Sequence, residues 1–222
     1  MGKGLFVTAT GTDMGKTYIT ALIVKKLNEA GYRAGYYKAA LSGAESIGES
    51  DAGYVKKTAG ITQPDETLLS YLYKTAVSPH LAAKIEGNPV DMETVRAGYL
   101  YAAGKYDYVT VEGSGGIVCP IRWDDRKKIL LEDLVKLLGL PAIIVADAGL
   151  GTINSTVLTA EYLRNRNIET KGVIINNYSG GIMQKDNIRM IEELTGLSVL
   201  AALAEGDAAL SVDAGLLASF YQ

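Results

Sequence analysis

Short apolar runs alternate along the chain with longer segments of helical period. The runs Leu5 to Ala9, Ala34 to Lys38, Tyr108 to Glu112, Ala142 to Ala146, Gly172 to Asn176 and Val199 to Leu203 predict strands. Their Val and Ile content lacks a clean in-and-out alternation, which is the mark of strands covered on both faces. Between the first two, Thr17 to Ala30 sets Ile19, Leu22, Ile23 and Leu27 on one helical face and stops at Gly31, a glycine suited to terminate a helix. Met92 to Ala103, Ile129 to Leu138, Thr156 to Asn165 and Gln184 to Leu194 predict helices in the same way. The alternation predicts an α/β fold, a mainly parallel sheet with helices on both faces. Leu41 to Val90 fits it least: LSGAESIGES predicts an exposed loop, followed by short helices beside the sheet. No Pro-rich or Ser-rich linker, internal repeat or low-complexity tract interrupts the series, so residues 1–222 are expected to form a single domain.

Composition narrows the class. The chain has 222 residues, 48% hydrophobic and 21% charged, enough for a sizeable core. A formal net charge of -3 carries no global electrostatic footprint for nucleic acid, which is set aside as a partner. The apolar stretch within MGKGLFVTATG is too short for a signal-peptide core or a membrane span, so no membrane is expected either. Met1-Gly2 opens like a myristoylation signal, but Phe6 stands where Ser or Thr is required. One Cys forms no internal disulfide, and the chain reads as cytoplasmic.

The candidate chemistry begins at VTATGTDMGKTYIT, Val7 to Thr20. It ends in Gly15-Lys16-Thr17 like a phosphate-binding loop, yet the strict G-x-x-x-x-G-K-[ST] pattern needs glycine at position 10 and meets Thr10. Context outweighs the pattern: a loop joining a buried strand to a helix aims backbone N–H groups and the positive helix end at one point, which suits a phosphate. Lys16 then meets the outer phosphates, and the Thr17 hydroxyl is a magnesium ligand. The plainer alternative is a helix start with a surface lysine. In YDYVTVEGSGG, the apolar run ends in Glu112 before Gly113, Gly115 and Gly116. A carboxylate there lies on the edge where open α/β sheets bind ligands and can hold magnesium; otherwise it is a glutamate at a turn. In GYYKAALSG, Lys38 ends the second strand and projects beside the first loop. Asp51, in GESDAG, is by spacing a turn or helix-cap residue.

Together the segments FVTATGTDMGKT, YYKAALSG, SDAG, SPHLAA, VEGSGG, GLGTINSTVLTAEYL and VIINN resemble the dethiobiotin synthase family in order and spacing, over nearly the whole chain. The family's loop carries one residue more before Gly15 than the strict pattern allows, so Ala9 stands where the family usually has glycine. The resemblance implies a P-loop NTPase type of fold, with ATP as co-substrate and Mg2+ as cofactor. It further implies a reaction in which 7,8-diaminopelargonic acid takes up carbon dioxide as a carbamate, ATP phosphorylates the carbamate, and the second amine closes the ring of dethiobiotin. In that scheme Lys16 and Lys38 face the carbamate and the transferring phosphoryl group, with Thr12 and Ser42 as hydroxyl donors. Thr17, Asp51 and Glu112 hold magnesium; Gly11, Asp13, Met14 and Gly15 wrap the phosphates; Asn176 reads adenine. Gly151, Thr152, Ile153 and Asn154 bind the substrate carboxylate held at the active site of a second subunit, which implies a homodimer with shared sites.

Three departures stand beside the matches: Ala9 itself, the absence of proline from Ala39-Ala40-Leu41, and Ala201-Ala202-Leu203-Ala204 in place of a typical Gly-x-Ile-Pro stretch. The last leaves nucleoside triphosphate selectivity open. Two other functions remain. Partitioning-type switch ATPases share the strand, loop and helix, but begin the loop with lysine-glycine-glycine, where this chain has Gly11 in the lysine's place. Amide-forming synthetases of the cobyrinate type need a glutaminase domain for which this chain lacks length. His80 is expected in a structural or substrate-wall role, Cys119 as a small buried hydrophobe, and Trp123 in core packing.

Overall fold

The computed structural model describes residues 1–222. In chain order the elements are β1 (Lys3–Ala9), α1 (Lys16–Glu29), β2 (Ala34–Ser42), α2 (Asp51–Ala59), β3 (Leu69–Tyr73), α3 (Pro79–Ile85) and α4 (Met92–Lys105). There follow β4 (Tyr108–Glu112), β5 (Pro120–Trp123), β6 (Lys128–Leu130), α5 (Leu131–Leu138), β7 (Ala142–Asp147) and α6 (Thr152–Asn165). The chain ends with β8 (Thr170–Asn176), α7 (Ile182–Thr195), β9 (Val199–Ala202) and α8 (Ala214–Ser219). Seven strands form one sheet in the order β3-β2-β4-β1-β7-β8-β9, every neighbouring pair parallel. After β1 the chain builds β2, β3 and β4 on one side and β7, β8 and β9 on the other. That reversal opens a crevice at the carboxyl ends of the central strands, where such sheets bind ligands.

Consecutive side chains of a strand leave opposite faces, and β1 serves two cores in this way. Leu5, Val7 and Ala9 pack with Ile19, Leu22, Ile23 and Leu27 of α1 and with α2 and α8. Phe6 belongs to the opposite core with Val109, Val111, Tyr99 of α4, Leu134 of α5 and Leu163 of α6. The unbroken apolar runs follow from this double burial. Burying a Leu or Ile contributes about 1.5–3 kcal/mol each. Four such residues on α1 outweigh the lack of a side-chain cap at its first turn, an omission that costs about 1 kcal/mol. The helix is therefore held from its side while its amino end stays free.

The structure differs from the sequence expectation in five places. β2 does not end at Lys38 but runs to Ser42, because β3 pairs along its outer edge as far as Tyr73. β3 is a parallel edge strand within the segment expected to hold a loop and short helices; it pairs only with β2, with Lys38 opposite Leu69. Ile129 belongs to the β5–β6 hairpin, so α5 starts at Leu131. α6 starts at Thr152 instead of Thr156 because Gly151, left-handed at φ 89°, occupies its N-cap. Trp123 is not in the core: it is 49% exposed on the hairpin, with the Lys128 ammonium 5.1 Å from its ring centroid. Cys119 is buried as expected. No helix is long and apolar enough to cross a membrane.

Candidate active site

The loop between β1 and α1 turns on two left-handed residues, Asp13 at φ 60° and Gly15 at φ 82°. Asp tolerates that region better than most residues with a side chain. At Gly15 a Cβ would also stand 2.1 Å from Asn176 Nδ2, so a side chain there would require that amide to shift. The Asn176 amide lies under the loop and donates to the Met14 carbonyl at 3.3 Å, tying the end of β8 to the loop. Because Gly15 offers no side-chain cap, the first N–H groups of α1 are free to meet an anion.

Lys16 opens α1 and is buried. Burial pushes its ammonium below the ordinary lysine value; Glu112 and Asp51 act against that shift, and neighbouring Lys38 adds to it. The Thr17 hydroxyl donates to Glu112 Oε1 at 2.7 Å. Lys38, on the strand beside Glu112 and directly opposite it in register, donates to the same oxygen at 2.9 Å and to Asp51 Oδ2 at 2.5 Å. Burial alone would lower Lys38, but Glu112 and Asp51 together hold it above its ordinary value. Asp51 is held low: burial opposes this, and Lys38 outweighs the burial. The N-cap expected of Asp51 is supplied by Ser50, which accepts from Gly53 N–H; Asp51 is the first residue of α2 and turns to Lys38. Tyr36 closes the group from below, donating to Glu112 Oε2 at 2.9 Å.

Lys16, Thr17, Lys38 and Asp51 line a 710 Å³ cavity with Thr12, Asp13, Gly15 and Ser42, while Glu112 and Tyr36 are buried behind them. Its opposite wall is less polar: Leu41, Ala76, Val77, Pro79 and Cys119. Ser42 donates to the Val77 carbonyl at 2.5 Å, joining the floor to that wall. Ser114 donates to the Ala40 carbonyl at 2.7 Å and so pins the glycine-rich 113–116 loop against β2. His80 is paired with Ser78 at 3.0 Å through its ring Nδ1 and does not line the cavity. Gly11 is open enough to accept a Cβ. The segment Gly151, Thr152, Ile153, Asn154 begins α6 and lies outside the cavity of its own chain.

No group of three or more His, Cys, Asp or Glu side chains is placed to hold a metal ion. A cation at this site would have two carboxylates and one hydroxyl, all oxygen, and would complete its shell with phosphate and water. That donor set fits magnesium, which is usually bound through one or two carboxylates plus substrate phosphates. Sequence inspection missed Tyr36, Ser114 and the wall residue Val77. For Tyr36 a signal existed: it precedes Lys38 by two positions on a strand, so both project from one face.

These features define a class. Residues 3–208 match the family model described as an AAA domain. The fold is similar to a ParA family ATPase from Chlorobium tepidum, with TM-score 0.59 and 14% identity over 99% of this chain and 90% of that one. It is also similar to a chain of the MinC:MinD cell division protein complex of Aquifex aeolicus, with TM-score 0.58 and 15% identity over 92% and 82%. At such identities the likeness defines the fold alone: an α/β fold of the P-loop NTPase type. Closer sequence relatives are more specific. An ATP-dependent dethiobiotin synthetase of Brachyspira hyodysenteriae is 52% identical over 93% of this chain and 94% of its own length. One from Clostridium botulinum strain Loch Maree is 46% identical over 100% and 99%. The chain belongs to the family of ATP-dependent dethiobiotin synthetases.

Proposed function

We propose that this chain, as one P-loop domain acting in the cytoplasm, converts 7,8-diaminopelargonic acid, carbon dioxide and ATP to dethiobiotin, ADP and phosphate. The observation that carries this reading is the meeting of Lys16, Lys38, Thr17 and Asp51 with the buried Glu112 beneath the phosphate-binding loop, at the floor of a cavity with a less polar wall. In the first step one substrate amine adds to carbon dioxide and loses a proton, giving a carbamate. A carbamate oxygen then attacks the terminal phosphorus of ATP, the bond to ADP breaks, and a carbamic-phosphoric anhydride results. In the last step the second amine attacks the carbonyl carbon; the carbon–oxygen bond to phosphate breaks, the amine gives up a proton, and the ring closes.

None of these steps needs a covalent bond to the protein, so positioning and charge stabilisation do the catalysis. Gly11, Thr12, Asp13, Met14 and Gly15 wrap the triphosphate with the free amino end of α1. Lys16 and Lys38 take up negative charge as the phosphoryl group moves to the carbamate, and the Thr12 and Ser42 hydroxyls orient its oxygens. Leu41, Val77 and Pro79 flank the methylene chain of the diamine. Asn176 meets the base. Thr17, Asp51 and Glu112 would hold a magnesium ion, whose contribution is neutralisation of phosphate charge. Purified protein given the diamine, bicarbonate and Mg-ATP should form dethiobiotin and ADP in equal amounts. ADP release indifferent to the diamine, but stimulated by DNA or a membrane, would favour a switch ATPase and sink the proposal.

A homodimer with shared sites accompanies this reading. The amino end of α6, free of a side-chain cap, suits the diamine's carboxylate, yet it lies outside its own chain's cavity. Leu150 beside it is 93% exposed and Ile182, at the start of α7, 90%, apolar surface that a second copy would cover. Lys16→Ala and Asn154→Ala homodimers, each inactive, should regain activity when their subunits exchange. Confirmed exchange with no activity would mean that each chain serves only itself.

A further inference from the structure

Tyr36 and Lys38 leave β2 on the face covered by α1 and α2. Across the sheet Tyr36 is paired with Thr110 and Lys38 with Glu112, which puts Tyr36 one step deeper than the lysine. Its side chain is wholly buried, and its hydroxyl has one partner, Glu112 Oε2, at 2.9 Å. The other carboxylate oxygen, Oε1, receives Thr17 and Lys38. The two oxygens are thus divided between the core and the mouth of the site. Nothing in a glutamate dictates that division, because rotation about its last bond is nearly free. A phenylalanine would fill the apolar space around the ring equally well, whereas a buried hydroxyl persists at a cost unless it is hydrogen-bonded.

We propose that Tyr36 is a positioning residue: its hydroxyl anchors Glu112 Oε2 from the core side, so that Oε1 is presented to the phosphate-binding mouth, and this sets the affinity for a divalent cation with nucleotide. The inference rests on Glu112 being a cation ligand, as proposed above. Groups that orient a metal-binding carboxylate typically change metal affinity or activity by about 10- to 100-fold when removed.

The test uses the full chain, Mn2+ as the probe ion and ADP, with free Mn2+ followed by electron paramagnetic resonance. Tyr36→Phe is expected to weaken Mn·ADP binding about 10-fold and to lower kcat by a similar factor, with KM for the diamine unchanged. ADP binding measured in a chelator should stay at the wild-type value. Tyr221→Phe is the matched control. That phenol is also wholly buried and shares a hydrogen bond with Thr110 at 2.6 Å, without touching Glu112; its loss should leave Mn·ADP binding unchanged. Glu112→Gln separates the two levels of the inference. If it weakens Mn·ADP binding while Tyr36→Phe does not, the positioning role is wrong. If Glu112→Gln has no effect, the ligand assignment is wrong and the role of Tyr36 goes with it. Equal losses in Tyr36→Phe and Tyr221→Phe would reduce the effect to general softening of the core and overturn the proposal.

Discussion

Lys38→Ala is expected to slow dethiobiotin formation about 10²- to 10³-fold and to weaken the ligand-free fold in the same stroke. The Lys38 ammonium lies between Glu112, which is buried, and Asp51, whose side chain is 47% exposed. Removing it leaves the buried carboxylate without its closest cation, and breaking a buried pair in this way costs about 3–5 kcal/mol. The half-exposed Asp51 places the expected loss at the lower end, about 3 kcal/mol. Catalysis suffers separately, because the group proposed to face the carbamate is gone; loss of one such preorganised donor lowers kcat about 10²- to 10³-fold. Denaturant unfolding and product assays read the two effects independently. Nucleotide affinity should survive far better than in Lys16→Ala. An equally severe loss of ATP binding would assign Lys38 to the nucleotide and remove it from the carbamate.

Lys16→Ala should show the opposite stability signature. Burial holds the Lys16 ammonium below its ordinary value, with Lys38 adding repulsion, so the ligand-free protein bears a cost for keeping this charge at neutral pH. A folded-state value below the unfolded one means that the charged form favours unfolding, and alanine removes that penalty. The variant's Tm should therefore equal or exceed that of the wild type. ATP affinity should fall steeply, because truncating one side of a desolvated charge contact costs about 2–5 kcal/mol, roughly 30- to several-thousand-fold. Destabilisation matching that of Lys38→Ala would show that both lysines are structural cations. That contrast would express the proposed division of labour, in which one lysine holds the site together before ligands arrive and the other waits, at a cost, for phosphate.

Much of this arrangement was legible from local pattern. β1, β2, β4, β7 and β8 are buried on both faces, so their apolar runs are continuous; the ends of β4 and β8, which carry Glu112 and Asn176, are well marked, whereas β2 runs on past Lys38 to Ser42. Lys16 and Thr17 follow from strand–loop–helix context despite Thr10. What local pattern could not supply is what depends on distant partners. β3 contains Ser70, whose hydroxyl is satisfied by Tyr37 at 2.6 Å, and it is a strand because β2 offers it an edge. Asp51 resembled a cap because its link to Lys38 spans a loop and a strand. Tyr36 drew no notice in its strand because its hydroxyl's partner, Glu112, lies 76 residues away in sequence. Trp123 went the other way: its hairpin carries the ring outward, where a lysine covers it.

The claim beneath all of this is that the lysine pair and the loop direct ATP onto a carbamate oxygen. Oxygen-18 bicarbonate, supplied with the diamine and ATP in a single rapid turnover, tests it most directly by mass spectrometry of the released phosphate. Transfer through the carbamic-phosphoric anhydride places one labelled oxygen in that phosphate and leaves another in the ring carbonyl. Unlabelled phosphate, formed as dethiobiotin appears, would mean that water or another group receives the phosphoryl, and would contradict the account.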